Sequence, residues 1–134
     1  DNKTADLFKK SILERLGTLN YIPVIFTSVI QKQRVFKAVE TAIAVFEDRA
    51  KKVSTSALND KLLPEIERYN PPAYRGKYIK IKYITQLPTK APAFAFFCNF
   101  PKYIKPPYVR FLENKIREHF GFSGVPIKLV FKDK

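Results

Sequence analysis

Hydrophobic and polar positions first set out an amphipathic helix. From Thr4 to Leu16, the residues Ala5, Phe8, Ile12 and Leu16 recur at helical spacing with Lys9, Lys10, Glu14 and Arg15 between them, and Gly17 stands where a helix ends. The pattern then becomes almost wholly apolar, YIPVIFTSVI over 21–30, and predicts a strand at Ile22–Phe26 of the kind buried on both faces of a parallel sheet. Val35, Phe36, Val39, Ile43 and Phe46 return to one helical face. Helix, buried strand, helix is half of an α/β layered unit whose other strands would lie earlier in the chain.

A second pattern starts near residue 50. Ser54-Thr55 caps a helix carrying Leu58, Leu62 and Ile66, with Pro64 predicting a kink or a break into two segments, and Asn70-Pro71-Pro72 ends it. KYIKIKYIT alternates with period two, placing Ile79, Ile81 and Tyr83 on one face and Tyr78, Lys80, Lys82 and Ile84 on the other. The turn-rich QLPTKAP joins it to AFAFFCN as a hairpin with a loop longer than two residues. Pro106-Pro107 opens a helix with Tyr108, Leu112, Ile116 and Phe120 on one face, and Gly121 closes it. The last strand, PIKLVF, sets Ile127, Leu129 and Phe131 against Lys128 and Lys132. The order is α-β-β-α-β, a three-stranded sheet covered on one face by helices, with Lys80, Lys82, Lys128 and Lys132 expected on the open face.

Charge sharpens the boundary. The net charge is +13, and residues 1–50 hold 8 Lys/Arg against 6 Asp/Glu (+2), whereas residues 51–134 hold 17 against 6 (+11). Such an excess attracts polyanions at long range, nucleic acid above all, without selecting a sequence. A solvated basic surface with no such partner is the plain alternative.

Candidate chemistry is sparse. Without GxxxxGK[ST], no amide cradle for nucleotide phosphates is specified. His119 has no Ser or Cys nucleophile arrangement around it and reads as a surface or helix-capping imidazole, and one Cys with one His cannot build a zinc site. Cys98, in an apolar strand, reads as a buried inert thiol; a single cysteine suggests a reducing compartment, and the chain reads as cytoplasmic, with no membrane span. Asp1-Asn2-Lys3 looks like the start of an NKxD motif, but Asp6 falls one place late. Gly121-Phe122-Ser123-Gly124 matches GxxG yet precedes a strand, so a helix cap and turn explain it better.

The stretches NYIPVIFTSVIQKQRVFKAVE, RAKKVSTSALN, YNPPAYRGKYIKIKYITQ, PAFAFFCN and YVRFLENKIREHFGFSGVPIKL resemble the C-terminal part of the Der (EngA) family of bacterial GTPases. Members have two tandem GTPase domains followed by a KH-like domain and act in assembly of the large ribosomal subunit. The resemblance implies an α+β chain: residues 1–50 as the closing helix, strand and helix of the second P-loop GTPase domain, and residues 51–134 as the KH-like α-β-β-α-β domain. Thr27-Ser28-Val29 aligns with the family's last guanine-binding segment, so Ser28 and Val29 would take those positions, inactive alone. GTP and Mg would belong to the missing domains; this chain itself is expected to carry no cofactor and no GTPase activity.

Two partners are implied, rRNA of the large subunit and the GTPase domains of the same polypeptide. True KH domains clamp nucleic acid with a glycine loop between two helices. This chain has Lys102-Tyr103-Ile104-Lys105-Pro106-Pro107 there, without glycine. The RNA-contact reading uses Lys80, Lys82, Lys102, Lys105, Arg110, Arg117, Lys128 and Lys132. The regulatory reading instead uses Tyr78, Ile84, Tyr103 and Tyr108 as an intramolecular interface. For the orphan strand 22–26 three fates stay open: packing on the KH-like domain, self-association, or exchange between chains.

Overall fold

The computed structural model describes residues 2–28 and 34–134, which separate into two units: Asp1–Asp48 with Ser123–Val125, and Arg49–Phe122 with Pro126–Lys134.

In the first unit, α1 (Asn2–Leu16) stops where Gly17 adopts a φ of +58°, and α2 (Val35–Ala50) follows. Neither helix has a buried residue. Of the apolar positions of the predicted faces, Phe8, Phe36, Val39, Ile43 and Phe46 are exposed, Phe36 by 83%, and Ala5, Ile12, Leu16 and Val35 are half-buried. An amphipathic stripe is buried only where a partner element meets it. The strand expected over Ile22–Phe26 has no ladder among the described residues, and that run is irregular chain up to an isolated bridge at Ser28. Partners define a strand, and this one has none there. The segment 123–125 belongs to this unit: the Gly124 N–H donates to the Tyr21 carbonyl at 3.2 Å, and the Ser123 N–H to the Asp48 carboxylate at 3.1 Å. Gly124 has a φ of +78°, and a Cβ there would lie 2.8 Å from both Pro23 and Val45, so close packing accounts for the second glycine of the GxxG string.

The second unit has the expected α-β-β-α-β order: α3 (Thr55–Arg68), β1 (Ile81–Gln86), β2 (Ala93–Cys98), α4 (Pro106–Phe120) and β3 (Lys128–Asp133). The Ser54 side chain accepts from the Ala57 N–H at 3.2 Å and caps α3, which continues through Pro64 as one helix. β2 is central, antiparallel to β1 and parallel to β3. The parallel pair requires a crossover, and α4 supplies it. Leu58, Leu62 and Ile66 of α3 and Tyr108, Leu112 and Ile116 of α4 meet Ile84, Phe94, Phe96 and Cys98 in one core, all buried.

Strict alternation in β1 does not hold. The register steps from Ile81↔Cys98 to Tyr83↔Phe97, leaving Lys82 as the extra residue of a bulge. A bulge reverses the phase of everything after it. Ile84 is therefore fully buried, while Tyr83 stacks on Phe97 with centroids 4.5 Å apart and planes 8° from parallel. Ile84 and Tyr108, read from sequence as interface residues, are core residues. The Tyr108 hydroxyl donates to the Tyr69 carbonyl at 2.8 Å, and burial pushes its pKa upward.

The outer edge of β1 is closed by side chains. The Asn59 amide accepts from the Ile84 N–H and donates to the Ile84 carbonyl, both at 2.9 Å. Gln86 accepts from the Val53 N–H at 2.6 Å and donates to the Lys51 carbonyl at 3.1 Å. Asn59→Leu removes the partners of both Ile84 groups without removing bulk, and unsatisfied polar groups cost about 1–3 kcal/mol each. We expect chemical denaturation to show a loss of about 2–3 kcal/mol, against less than about 0.5 kcal/mol for exposed Asn114→Leu.

Glu65 of α3 joins the two helices, 3.2 Å from His119 and 3.4 Å from Lys115 of α4, with Arg68 at 3.5 Å. The His119 hydrogen bond above all, with help from Lys115 and Arg68, holds its carboxyl below the ordinary 4.5. A carboxyl whose folded pKa is depressed adds stability that is present above its unfolded pKa and lost as pH falls through the folded one. The stability difference between the native chain and Glu65→Gln should therefore shrink on acidification below about 4.5, measured as thermal midpoints across an acid series. A constant difference would show that the charge of Glu65 is not what joins the helices.

Candidate nucleic-acid interface

The four strand lysines do not share one face. Lys128 and Lys132 pair in register with Ala93 and Phe97 on the side of β3 away from the core, where Phe131 packs. Lys132 therefore lies beside the Tyr83–Phe97 stack, and Lys134 sits over Tyr83 at 4.6 Å. Lys80 and Lys82 instead line a groove between β1 and the C-terminal half of α3, with Leu63, Ile66, Glu67, Asn70 and Ile81. The bulge at Lys82 separates the two pairs. Arg110 is exposed on α4. Arg117 donates to the Phe122 carbonyl at 2.6 Å and so helps close the end of α4, a structural task the sequence did not disclose. Ser28 is half-buried at the end of the irregular run, and Val29 lies outside the described residues.

A third basic group is more concentrated. A 3₁₀ turn, Pro101–Tyr103, lies in the connection from β2 to α4, with Lys102 inside the turn and Lys105 just before α4, both exposed. Lys105 is the N-cap of α4, and Pro106 and Pro107 occupy its first turn. Neither proline has an N–H, so these positions offer no amides to a phosphate.

The hairpin Tyr74–Lys77 completes the group. Tyr74 and Lys77 exchange N–H···O bonds of 3.0 Å, and Arg75 and Gly76 both take positive φ, the requirement of a two-residue type I′ turn. The Tyr74 and Tyr103 centroids are 4.7 Å apart, and Phe100 and Tyr103 are 6.0 Å apart. Lys105 stands over the Tyr74 ring at 4.3 Å and Arg75 at 5.3 Å, while Lys77 stands 5.0 Å from the Phe100 centroid and 5.7 Å from that of Tyr103. Three cations are thereby held against three rings. Tyr74, Arg75, Lys77 and Phe100 were missed in the sequence, although Tyr-Arg-Gly-Lys-Tyr over 74–78 carries both signals, a glycine turn and aromatics alternating with cations.

Other side chains offer little chemistry. Cys98 is fully buried, and its thiol is pushed up by burial first and by Asp133 second. His119 is engaged by Glu65. Among the described residues no three His, Cys, Asp or Glu side chains converge as a metal site, and no helix is long and apolar enough to cross a membrane.

Comparison with known proteins agrees with this geometry. The family model for the KH-domain-like, C-terminal part of EngA bacterial GTPase enzymes matches residues 52–132, the stretch that holds α3, the sheet and α4. Over all of this chain, proteins called GTPase Der are 53% identical in Amoebophilus asiaticus, 52% in Christiangramia forsetii and 53% in Cytophaga hutchinsonii. The chain spans 31% of the length of each of these relatives. With an α-β-β-α-β unit whose helices pack on a mixed sheet, and with that match across the unit, this chain belongs to the EngA family of bacterial GTPases, as its C-terminal, KH-domain-like part.

Proposed function

We propose that this chain is the ribosome-contacting C-terminal part of a GTPase that assembles the large ribosomal subunit, and that its KH-like unit touches rRNA phosphates. The supporting observation is the charge: +11 over residues 51–134, with Lys80, Lys82, Lys102, Lys105, Arg110, Lys128 and Lys132 all exposed. Contacts of this kind set affinity and orientation without reading sequence, and they release counterions, so binding falls steeply with salt. GTP and Mg binding and GTP hydrolysis belong to the preceding domains. Residues 1–50 close the second of those domains, with Ser28 and Val29 at its guanine end, and the exposed stripe of α2 is the surface that domain would cover. The protein works in the cytoplasm.

A second reading has support of its own. Tyr78 is 81% exposed and Tyr69 54%, more aromatic surface than a domain facing only RNA phosphates needs, and a GTPase domain of the same polypeptide would cover it. The two readings use different surfaces, and both hold in the intact protein.

The test is co-sedimentation of this chain with purified large ribosomal subunits across a salt series, beside Lys80→Glu/Lys82→Glu. We expect saturable binding whose log–log salt slope flattens by about two in the variant, with affinity down about tenfold. Absence of binding by the unaltered chain would leave the intramolecular role alone; binding indifferent to the variant would remove the α3–β1 groove from the contact.

A further inference from the structure

We propose that Tyr74, Arg75, Lys77, Phe100, Tyr103 and Lys105 form a binding site for single-stranded RNA, with phosphates held by the three cations and an unpaired base stacked on the Phe100 ring. This deepens the RNA-contact reading and rests on it. The first argument is charge that is left unneutralised. Lys115, Arg68 and His119 are engaged by Glu65 or Glu118. Arg75, Lys77 and Lys105 have no ion pair among the described residues and are held by ring faces instead. A ring attracts a cation without cancelling its charge, so the field offered to a phosphate survives while the flexible side chain is positioned.

The second argument is the loss of backbone donors. Prolines at 106 and 107 remove two amides from the first turn of α4, and no glycine between 101 and 107 eases close backbone approach, so more of any grip on a phosphate falls to side chains. A third observation is conformational. Arg75 and Phe100 both hold left-handed backbone, φ +49° and +50°, which non-glycine residues adopt at a cost. Both belong to the cluster, and the strained backbone sets Lys77 over a Phe100 ring that stays 38% exposed.

Single strands are favoured because an unpaired base presents a π face, whereas a duplex keeps its bases stacked inside and offers only phosphates and groove edges. Cations and rings also differ in what they do to salt dependence. Each lost phosphate contact lowers the slope by about 0.7 on single strands, while a lost stack lowers affinity and leaves the slope alone.

The experiment measures fluorescence anisotropy of a labelled single-stranded oligouridylate, and of an RNA duplex of equal length, with the whole chain across a salt series. Lys77→Gln/Lys105→Gln should weaken single-strand binding about tenfold and flatten the slope by about 1.4; Phe100→Leu should weaken it about fivefold with the slope unchanged. Thermal unfolding of each variant shows that the fold is kept. A duplex bound as well as the single strand, with Phe100→Leu silent, overturns the site, as does an unaltered chain that binds neither probe at low salt. Large subunits are tested beside the oligomers. Subunit binding that persists while all three substitutions leave oligouridylate binding unchanged overturns this site and keeps the rRNA reading. An unaltered chain that holds oligouridylate with the expected variant losses, yet fails to bind subunits, keeps the site and removes the ribosomal reading.

Discussion

The amide of Asn59 accepts from one backbone group of Ile84 and donates to the other, and in doing so takes the place of the strand that β1 lacks on its outer side. An open edge would leave unpaired donors and acceptors to water or to another chain. Gln86 repeats the arrangement two residues on, against Lys51 and Val53. At the other end of β1, Asn99 donates to the Tyr78 carbonyl at 3.1 Å and its side chain accepts from the Lys80 N–H at 2.5 Å. Fastening at both ends fixes where the chain before β1 goes. It brings the Tyr74–Lys77 turn beside Phe100, the residue next to Asn99, and so builds the cation and ring cluster from segments about 25 residues apart in sequence.

Two sets of basic side chains in the second unit differ in what holds them. Lys115 and His119 of α4 meet Glu65 and tie α3 to α4, while Arg68 meets Glu65 within α3. Arg75, Lys77 and Lys105 meet aromatic faces. The first arrangement spends charge on the fold, and the second conserves it for a ligand. Net charge alone does not distinguish them.

Burial separates the two units as well. The KH-like unit places Leu58, Leu62, Ile84, Phe94, Phe96 and Ile116 wholly inside. In α1 and α2 nothing is buried, and of the apolar positions that periodicity marks, Phe8, Phe36, Val39, Ile43 and Phe46 are exposed. A helix of this kind gains its stability from packing, not from propensity. The contrast agrees with a chain that spans 31% of its relatives.

The alternation of apolar residues and the capping and turn residues were enough to give the second unit its element order, because each side of a helix or strand is written locally. Ser54 as a cap, the antiparallel pair, Gly121 at the end of α4 and the lysines facing away from the core on β3 were all legible in this way. Tertiary structure decided the rest. The bulge at Lys82 depends on registry with β2, so the exchange of Tyr83 and Ile84 between faces could not be read from β1 alone. In sequence Arg117 is one more helix cation, and only the fold sets the Phe122 carbonyl beside it. The cluster at Tyr74, Lys77, Phe100 and Lys105 exists only because the sheet brings two turns together. Sequence patterns record what each segment prefers; which distant side chains share a site is set by the pairing of strands and the closure of edges.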